Sequence, residues 1–493
     1  MDFLFGGIMR LTELLSFSET EICVKEVKNF RDCEVTSVSS CSSEVKNGAM
    51  FFCVKGEKAD GHDFAFEAIK NGAVCVVCEK PLDVEVCQII VDNSDKAQAA
   101  FSNAFFGFPT KKLKIICVVG TNGKTSTAVL INSVLKEAGY KTGLISTNGI
   151  WIGEDYQKND MTTPCPCRLY ELFFEMQKQK VNFCVMEMSA HAIKREKLFQ
   201  VEADLAVFTN FSQDHLDYFK NMQNYADTKM SFFKKGKTKI AVVNADDKIG
   251  RELIFNAEVP TVSYGINNPS DVFAMDVECE KDFSSYIMNI YDEVYKMEYP
   301  LTGKFNVYNT LAAATACRVF GIKPDVIGKG IRKIKFIEGR NQAYRFPQGF
   351  KVVIDYAHTP EGIENILSHL KASTFGKLIT VFGCGGNRDK SKRKIMAEAV
   401  SKYSDYAVLT SDNPRYEDPY EIMFEAEKGL SVNHELMCDR KAAITRAIGK
   451  AEKDDVVAVL GKGHEKYQEI KGEKLPFSDA EIVLELLCSV SPR

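Results

Sequence analysis

The run Gly120-Thr121-Asn122-Gly123-Lys124-Thr125-Ser126 has the residue types of a phosphate-binding loop. Its glycines allow backbone N–H groups to close around phosphate oxygens. Lys124 can neutralise the β- and γ-phosphates of ATP, and the Thr125 hydroxyl can ligate Mg²⁺. The general pattern has one more glycine, which would fall at Val118, so the match is incomplete. A turn that binds nothing would not need Lys and Thr at these two positions, and we therefore expect a nucleoside triphosphate here.

The flanking elements place this loop at the edge of a sheet. The apolar strand Lys114–Val119 precedes it, and an amphipathic helix ending at Glu137 follows it. A continuous apolar run predicts a strand buried on both faces, as in a parallel sheet. The order strand, glycine turn, helix also directs the helix N-terminus at the phosphates.

Two later strand ends carry side chains that could bind a metal ion. Glu187 ends a strand predicted over 181–187, and Asp214-His215 follows a strand predicted over 205–209. A carboxylate at such a position can hold Mg²⁺, but a solvated glutamate is an equal alternative from the residues alone. A single loop histidine is more often structural than metal-binding. By itself, Lys229 reads as an ordinary surface lysine.

Three polar loops follow strands in the last third of the chain, and parallel strands bring such loops to one edge of a sheet. They contain Arg388, Asp412-Asn413-Pro414-Arg415 and Gly461-Lys462-Gly463-His464-Glu465. The arginines suit carboxylates, whereas Asp412 and Glu465 suit ammonium groups. Turn chemistry alone would leave these charges without a role, so the pattern favours an amino-acid site.

Composition narrows the class of protein. The net charge of −4 and the pI near 6.1 argue against a nucleic-acid partner, and no apolar run is long enough to span a membrane. Most of the 16 cysteines lie in apolar strand-like runs. Together with an ATP site this predicts a reducing cytoplasm. The first eight residues lack a basic n-region and are interpreted as an ordinary N-terminal extension.

The order of strands and helices predicts an α/β protein of three domains. We expect a smaller N-terminal α/β domain over residues 1–110, and a central P-loop domain with a doubly wound sheet over 111–338. A C-terminal domain with a Rossmann-like sheet is expected over 339–493. The proline-marked stretch 108–112 is the predicted linker between the first two.

Taken in chain order, these motifs resemble those of the Mur ligase family, and within it the members that make UDP-N-acetylmuramoyl-tripeptide. The resemblance covers nearly all of the chain after about residue 35. It implies an ATP- and Mg²⁺-dependent ligase that adds a diamino acid to UDP-MurNAc-L-Ala-D-Glu through an acyl phosphate. It further implies a cytoplasmic monomer in peptidoglycan precursor synthesis. Two alternatives remain: a paralogue that ligates another carboxylate, and a nucleotide-binding regulator without catalysis.

The resemblance also assigns roles to residues. It implies catalytic roles for Lys124, Glu187, His215 and Lys229, with Thr125, Glu187, His215 and a carbamylated Lys229 near the metal. ATP would be bound by Gly120, Thr121, Asn122, Gly123, Lys124, Thr125, Ser126, Asn306, Arg340 and Asp355. The UDP-linked substrate would be bound by Ser42, Thr162, Thr163, Ser189 and Lys197. The added amino acid would be bound by Arg388, Asp412, Asn413, Arg415, Gly461 and Glu465. The sequence Asp-Asn-Pro-Arg resembles members that add meso-diaminopimelate.

Overall fold

The computed structural model of this 493-residue chain describes residues 7–18, 22, 24–56, 59–291 and 293–490. Most of the expected N-terminal extension, residues 1–6, lies outside the described residues. The described part contains three main sheets with helices against them, which confirms the expected α/β class. The three domain ranges stay predictions.

The first sheet is mainly parallel, with one antiparallel strand at its edge. In spatial order its strands in the described part are Val24–Lys28, Cys87–Val91, Ala73–Cys78, Ala49–Phe52 and Ser37–Ser39. The helices of this region are Leu11–Ser18, Ala65–Lys70 and Ser94–Phe105, with 3₁₀ turns at Ser42–Glu44 and Gly61–Phe64 and a short pairing of Met9–Arg10 with Glu34–Val35.

The central sheet has Lys114–Val119 in the middle of its parallel strands. Its spatial order in the described residues is Asp155–Gln157, Gly149–Ile152, Thr142–Ser146, Phe183–Glu187, Lys114–Val119, Leu205–Phe208, Ala241–Asn244, Thr261–Gly265, Val272–Cys279, Ser284–Ile290 and Glu293–Tyr299. After Lys114–Val119 the chain adds strands first on one side and then on the other. This reversal is the switch point at which such sheets bind ligands.

Both faces of this sheet are covered, which explains the continuous apolar strand. Ile116 and Val118 pack into one core, and Ile115, Cys117 and Val119 into the other. The helices of the central region are Lys124–Glu137, Pro166–Lys178, Ala190–Lys194, Leu216–Phe219, Met222–Met230, Lys248–Phe255, Lys304–Val319 and Pro324–Lys333, with a 3₁₀ turn at Ser231–Phe233. The expected linker forms a further 3₁₀ turn, Pro109–Lys112, which packs against Pro166–Lys178.

The third sheet is parallel except at one edge. Its described strands are, in spatial order, Gln342–Arg345, Lys351–Asp355, Val456–Leu460, Leu378–Phe382, Tyr406–Thr410 and His434–Met437. Its helices are Pro360–Ser373, Ser391–Tyr403, Pro419–Glu427, Arg440–Lys450 and Asp479–Val490. A hairpin of Tyr467–Ile470 and Glu473–Pro476 stands beside it. Among the described residues, no helix combines the length and apolarity that crossing a bilayer requires.

Candidate active site

The glycine loop after Lys114–Val119 wraps around the side chain of its own lysine. The Lys124 ammonium donates to the carbonyl oxygens of Gly120 and Thr121, at 3.0 and 2.7 Å. Burial lowers the pKa of Lys124, although the Glu187 and Asp214 carboxylates oppose this effect. Gly123 has a φ of +82°, and a Cβ there would lie 2.5 Å from Asn309 Oδ1. The turn therefore needs glycine, and it presents a lysine whose contacts are with neutral oxygens.

Glu187 lies at the end of the neighbouring strand and faces the start of the P-loop helix. Its carboxylate accepts the Thr125 hydroxyl at 2.8 Å and the Thr147 backbone N–H at 2.8 Å. The Thr147 hydroxyl donates to the second carboxylate oxygen at 3.1 Å. Glu187 is only 1% exposed. A buried carboxylate next to a threonine hydroxyl provides the hard oxygen ligands that Mg²⁺ prefers.

Lys229 is a fully buried lysine on the helix Met222–Met230. Its ammonium donates to Thr121 Oγ1 at 3.0 Å and lies 4.3 Å from the centre of the Tyr225 ring. Burial, assisted by the nearby charge of Lys124, lowers the pKa of Lys229 well below its ordinary value. Lys229 therefore lies behind the P-loop as an amine whose burial shifts its equilibrium toward the neutral form. The sequence alone read it as a surface lysine, and that reading is wrong.

Asp214 and His215 occupy the loop after the strand Leu205–Phe208. His215 has a φ of +55°, and its Nε2 lies 3.3 Å from an Asp214 carboxylate oxygen. Burial lowers the pKa of His215 to about 3, so the ring is neutral near pH 7. Its edge meets the His191 ring at a centroid distance of 4.8 Å. A neutral imidazole is the form that binds metal ions.

The remaining residues expected to bind ATP come from both sides of the hinge between the second and third sheets. Arg340 donates to Thr125 Oγ1 at 3.1 Å and packs over the Tyr356 ring at 4.4 Å. Asp355 accepts the backbone N–H groups of Asn341 and Ala357 at 2.6 and 2.7 Å. Burial raises the pKa of Asp355, and Arg340 opposes this.

The P-loop is also held by the third sheet's first helix. Asn122 Nδ2 donates to the Glu361 carboxylate at 3.1 Å, and Thr359 donates to Asn122 Oδ1 at 3.4 Å. Asn306 donates to the Thr302 carbonyl at 2.9 Å. Sequence reasoning missed Glu361, because a glutamate in the first turn of a helix is typical of any helix.

Within the loops after the third sheet's strands, charged groups are paired with one another. Asn413 donates to the Glu465 carboxylate at 2.8 Å, and Glu465 also accepts the Lys462 ammonium at 2.8 Å. Lys462 is fully buried and donates to Asn413 Oδ1 as well. Gly461 has a φ of +112°, and a Cβ there would lie 2.7 Å from an Asp412 carboxylate oxygen. The loops therefore pack closely enough to exclude any larger residue at Gly461.

Arg415 is fixed by a hairpin that was not part of the predicted site. Its Nε donates to Glu469 at 3.0 Å, and its Nη1 donates to the Gly386 carbonyl at 2.8 Å. The Arg415 backbone has a φ of +53° and bonds to both Glu469 and Lys471. Arg388 is less constrained, with its nearest acid, Asp217, at 3.8 Å. Glu469 gave no sequence signal, because alternating charges on a hairpin usually face solvent.

The residues expected to bind the UDP-linked substrate separate into two places. Thr163 donates to the Glu187 carbonyl at 2.9 Å, and Lys197 donates to the Thr163 carbonyl at 2.7 Å. Ser189 caps the helix Ala190–Lys194 beside them. Ser42 instead lies in the 3₁₀ turn Ser42–Glu44 beside the first sheet and donates to Glu67 at 2.7 Å. Burial lowers the pKa of Lys197 to about 8.

A cavity of about 560 Å³ joins most of these groups. We call the part lined by Lys124, Thr125 and Glu187 the phosphate side, and the part lined by Arg388, Asp412 and Arg415 the amino-acid side. The other predicted residues that line it are Thr121, Asn122, Gly123, Ser126, Thr162, His215, Asn306, Arg340, Asp355, Asn413, Gly461 and Glu465. The predicted residues that do not are Gly120, Lys229, Ser42, Thr163, Ser189 and Lys197.

Comparison with known proteins identifies the family. Residues 34–106 match the Mur ligase family catalytic domain, 118–317 the Mur ligase middle domain, and 339–463 the Mur ligase glutamate ligase domain. A UDP-N-acetylmuramoyl-L-alanyl-D-glutamate–2,6-diaminopimelate ligase of Bacillus velezensis is 41% identical over 96% of this chain and 98% of its own. The chain belongs to the Mur ligase family. The expectations of that family and of a ligase are thereby confirmed.

Solved structures agree with this assignment. A UDP-N-acetylmuramoyl-L-alanyl-D-glutamate–2,6-diaminopimelate ligase is similar at 29% identity, with a TM-score of 0.64 over 92% of this chain and 94% of that one. The MurF ligase of Thermotoga maritima, solved in complex with ADP, has a TM-score of 0.63 at 21% identity, covering 92% of this chain and 96% of its own. At that identity the likeness shows the fold of a Mur ligase, and the expected three-domain architecture is confirmed at the level of fold.

Proposed function

We propose that this Mur ligase adds meso-diaminopimelate to UDP-MurNAc-L-Ala-D-Glu at the expense of ATP. The proposal rests on one observation. A single cavity is lined by Lys124 of the P-loop, by the buried carboxylate of Glu187, which suits a metal ion, and by charged groups that suit an amino acid: Arg388, Asp412, Arg415 and Glu465. A nucleotide-binding regulator would have no use for an amino-acid side in the same cavity. The similarity to ligases named for this reaction supports the same substrates.

Ligation needs activation because a carboxylate does not react with an amine directly. In the first step a carboxylate oxygen of the substrate attacks the γ-phosphorus of ATP, the bond to the β–γ bridging oxygen breaks, and ADP leaves. The amine of the added amino acid then attacks the acyl carbon, phosphate departs with the electron pair, and one proton is released. Lys124 supports the first step by stabilising the negative charge of the phosphates.

The phosphate side has the residues that Mg²⁺ would need. The Thr125 hydroxyl and the Glu187 carboxylate lie 2.8 Å apart, and the neutral His215 ring lines the same cavity. These three groups would hold Mg²⁺, whose charge offsets that of the phosphates. Among the described residues, no group of three or more His, Cys, Asp or Glu side chains is placed to bind a metal ion unaided. This suits a magnesium ion that takes part of its coordination from phosphate and water.

Lys229 is proposed to be carbamylated. The reaction joins the neutral amine to CO₂, forms an N–C bond and releases one proton. Burial lowers the pKa of Lys229 well below its ordinary value, which favours the neutral amine that this reaction requires. The product is an anion, so an amine beside Thr121 becomes a group that would support the metal.

The charges of the amino-acid side favour a diamino acid with a second carboxylate. Arg415 is paired with Glu469 and Lys462 with Glu465, while Arg388 and Asp412 line the cavity with opposite charges, so these positive and negative charges are equal in number. Meso-diaminopimelate carries two ammonium groups and two carboxylates and is neutral overall, whereas lysine carries one net positive charge. A guanidinium paired with the distal carboxylate adds a directional contact that lysine cannot make.

The proposal includes the cytoplasm as the site of action and a monomer as the active form. The described cysteines are all free, including exposed Cys41, as expected of a reducing compartment. Sedimentation velocity at the concentration used in the activity assay tests whether the active form is a monomer.

The peptide end of the UDP-linked substrate would bind near Glu187, at Thr162, Thr163, Ser189 and Lys197. The nucleotide end would bind at Ser42.

The decisive experiment measures phosphate release with ATP, Mg²⁺ and UDP-MurNAc-L-Ala-D-Glu. Three parallel reactions contain meso-diaminopimelate, L-lysine or no amino acid. We expect sustained turnover only with meso-diaminopimelate. Equal turnover with lysine would contradict the amino-acid assignment, and no turnover in any reaction would contradict the acceptor.

A further inference from the structure

One buried carboxylate on the wall of the cavity is surrounded by basic groups. Asp214 is 6% exposed. Its Oδ1 lies 3.1 Å from Lys392 Nζ, and its Oδ2 lies 3.3 Å from His215 Nε2 and 3.7 Å from His358 Nε2. The role that the family resemblance gives to this loop concerns His215. That resemblance assigns no role to Asp214 or to Lys392.

Lys392 is an unusual lysine for a helix of the third sheet. It lies in the first turn of Ser391–Tyr403 and is only 6% exposed, whereas Lys394 on the same helix has a side chain 60% exposed. A lysine near a helix N-terminus opposes the helix dipole, and burying it costs further solvation free energy. A buried ion pair adds little net stability, so its burial points to a role other than stability.

The Asp214–Lys392 pair crosses from the central region to the third sheet. Two more contacts join the same loops: Gln213 donates to Asp389 at 3.0 Å and to Ser391 at 3.0 Å. Asp214 comes from the loop after Leu205–Phe208, next to the strand that leads into the P-loop. The helix after the third sheet's strand Leu378–Phe382 thus delivers a lysine to the same cavity that Lys124 lines.

The position fits the charge that develops during phosphoryl transfer. Lys392, Asp214, His215 and Lys124 line the same cavity as Arg388 of the amino-acid side. Attack of one anion, the substrate carboxylate, on another, the γ-phosphate, needs cations on more than one side of the moving group. Lys124 lies on the P-loop, and Lys392 lies where the amino-acid side begins.

We propose that Lys392 is a further catalytic residue, whose ammonium stabilises the phosphoryl group as it passes from ATP to the substrate carboxylate, and that Asp214 is the positioning residue that holds it there. The inference rests on the proposed function. Lys392 transfers no proton in this step. The bond that forms is between a carboxylate oxygen and phosphorus, and the bond that breaks is to the β–γ bridging oxygen.

The test isolates this step by omitting the amino acid. Enzyme, Mg-ATP and UDP-MurNAc-L-Ala-D-Glu are mixed and rapidly quenched, and the ADP formed in the first turnover is measured. We expect Lys392→Met to slow this burst by about a hundredfold, as for the loss of one charge-stabilising group. Lys392→Arg should recover part of the rate, and Asp214→Asn should slow it by about tenfold. Lys394→Met is the matched control and should match wild type.

Two further measurements separate chemistry from structure. Thermal unfolding of each variant shows whether the proteins being compared are folded. The double variant Asp214→Asn/Lys392→Met replaces any single variant that does not fold. Binding of a non-hydrolysable ATP analogue should change by less than about threefold, because Lys392 acts on the moving phosphoryl group. A folded Lys392→Met or double variant with a burst close to wild type would overturn the inference. A wild-type enzyme without any burst would instead overturn the proposed function, and the inference with it.

Discussion

The phosphate side and the amino-acid side of the cavity differ in how their cations are partnered. On the phosphate side, Lys124 donates to two carbonyl oxygens and to no carboxylate among its described hydrogen bonds. On the amino-acid side, Arg415 is paired with Glu469 and Lys462 with Glu465. Positive charge is therefore left for a ligand on one side and balanced by the protein on the other.

The difference follows from the charge of what each side is proposed to bind. ATP is a polyanion, and a P-loop whose lysine donates to neutral carbonyl oxygens gains its neutralising partner on binding. A zwitterionic amino acid brings both signs, and a balanced site binds it without a net change of charge. Variants that remove a cation should accordingly be more damaging on the phosphate side.

The largest loss is expected at Lys229. Lys229→Ala removes the proposed carbamate and should lower turnover by about a thousandfold, the upper range for one electrostatic group. Added short carboxylates should restore part of the activity by occupying the vacated space. Carbon-13 NMR of wild type in ¹³C-bicarbonate should show a carbamate signal that Lys229→Ala lacks. Lys234→Ala, a nearby lysine whose side chain is 58% exposed, is the control. A wild-type enzyme at ample CO₂ with bound nucleotide and no carbamate signal would contradict the assignment.

Lys124→Met is expected to follow, with phosphate release slowed by about a hundredfold or more, because a cation at the β- and γ-phosphates is lost. Unlike most changes of buried groups, it should leave the unfolding temperature unchanged or slightly raised. The reason is that the half-buried Lys124 ammonium has no hydrogen-bonded carboxylate, so removing it relieves a solvation cost. Steady-state kinetics and thermal unfolding on the same preparation provide both measurements. A folded variant with near-normal turnover would refute the P-loop assignment.

The sequence predicted the phosphate side more fully than the amino-acid side, for a physical reason. The strand Lys114–Val119 has the predicted bounds and the following helix ends at the predicted Glu137, because a continuous apolar strand, a glycine turn and an amphipathic helix are local signals. The strand over 181–187 begins two residues late, at Phe183, after Asn182, whose side chain accepts the Lys141 backbone N–H.

Residues whose burial depends on distant segments could not be predicted. Lys462 in a glycine loop and Lys392 in the first turn of a helix have the pattern of surface lysines. Lys462 is buried by Asn413 and Glu465, and Lys392 by Asp214, 178 residues away. Lys229 entered the site only through the family resemblance. Local sequence patterns cannot identify partners that lie so far away along the chain.

An intermediate effect is expected at Arg415. This variant tests whether the amino-acid side binds the distal carboxylate of meso-diaminopimelate. Wild type should prefer meso-diaminopimelate over L-lysine by roughly a hundredfold in kcat/KM, because a guanidinium–carboxylate contact is lost with lysine. Arg415→Ala should reduce this preference to about tenfold or less, mainly by weakening use of meso-diaminopimelate. Arg415→Lys keeps the charge but not the planar fork, and should fall between them. If wild type uses both amino acids equally, Arg415 does not read the distal carboxylate.

The smallest effect is expected at Glu469, where charge balance and orientation can be separated. In the wild type, Arg415 Nε donates to the Glu469 carboxylate at 3.0 Å. Glu469→Gln keeps an oxygen that can accept this hydrogen bond, but it leaves the amino-acid side with one extra positive charge. One unit charge about 8 Å away in a wet site changes binding by about 0.5 kcal/mol, or roughly twofold to threefold. Because lysine is the cation and meso-diaminopimelate is neutral, the preference for meso-diaminopimelate should rise by that factor. Glu469→Ala removes the acceptor as well, so Arg415 loses its fixed orientation and the preference should fall. Measuring kcat/KM for both amino acids in both variants decides the matter: a lower preference in Glu469→Gln would mean that the amino-acid side depends on orientation and not on balanced charge.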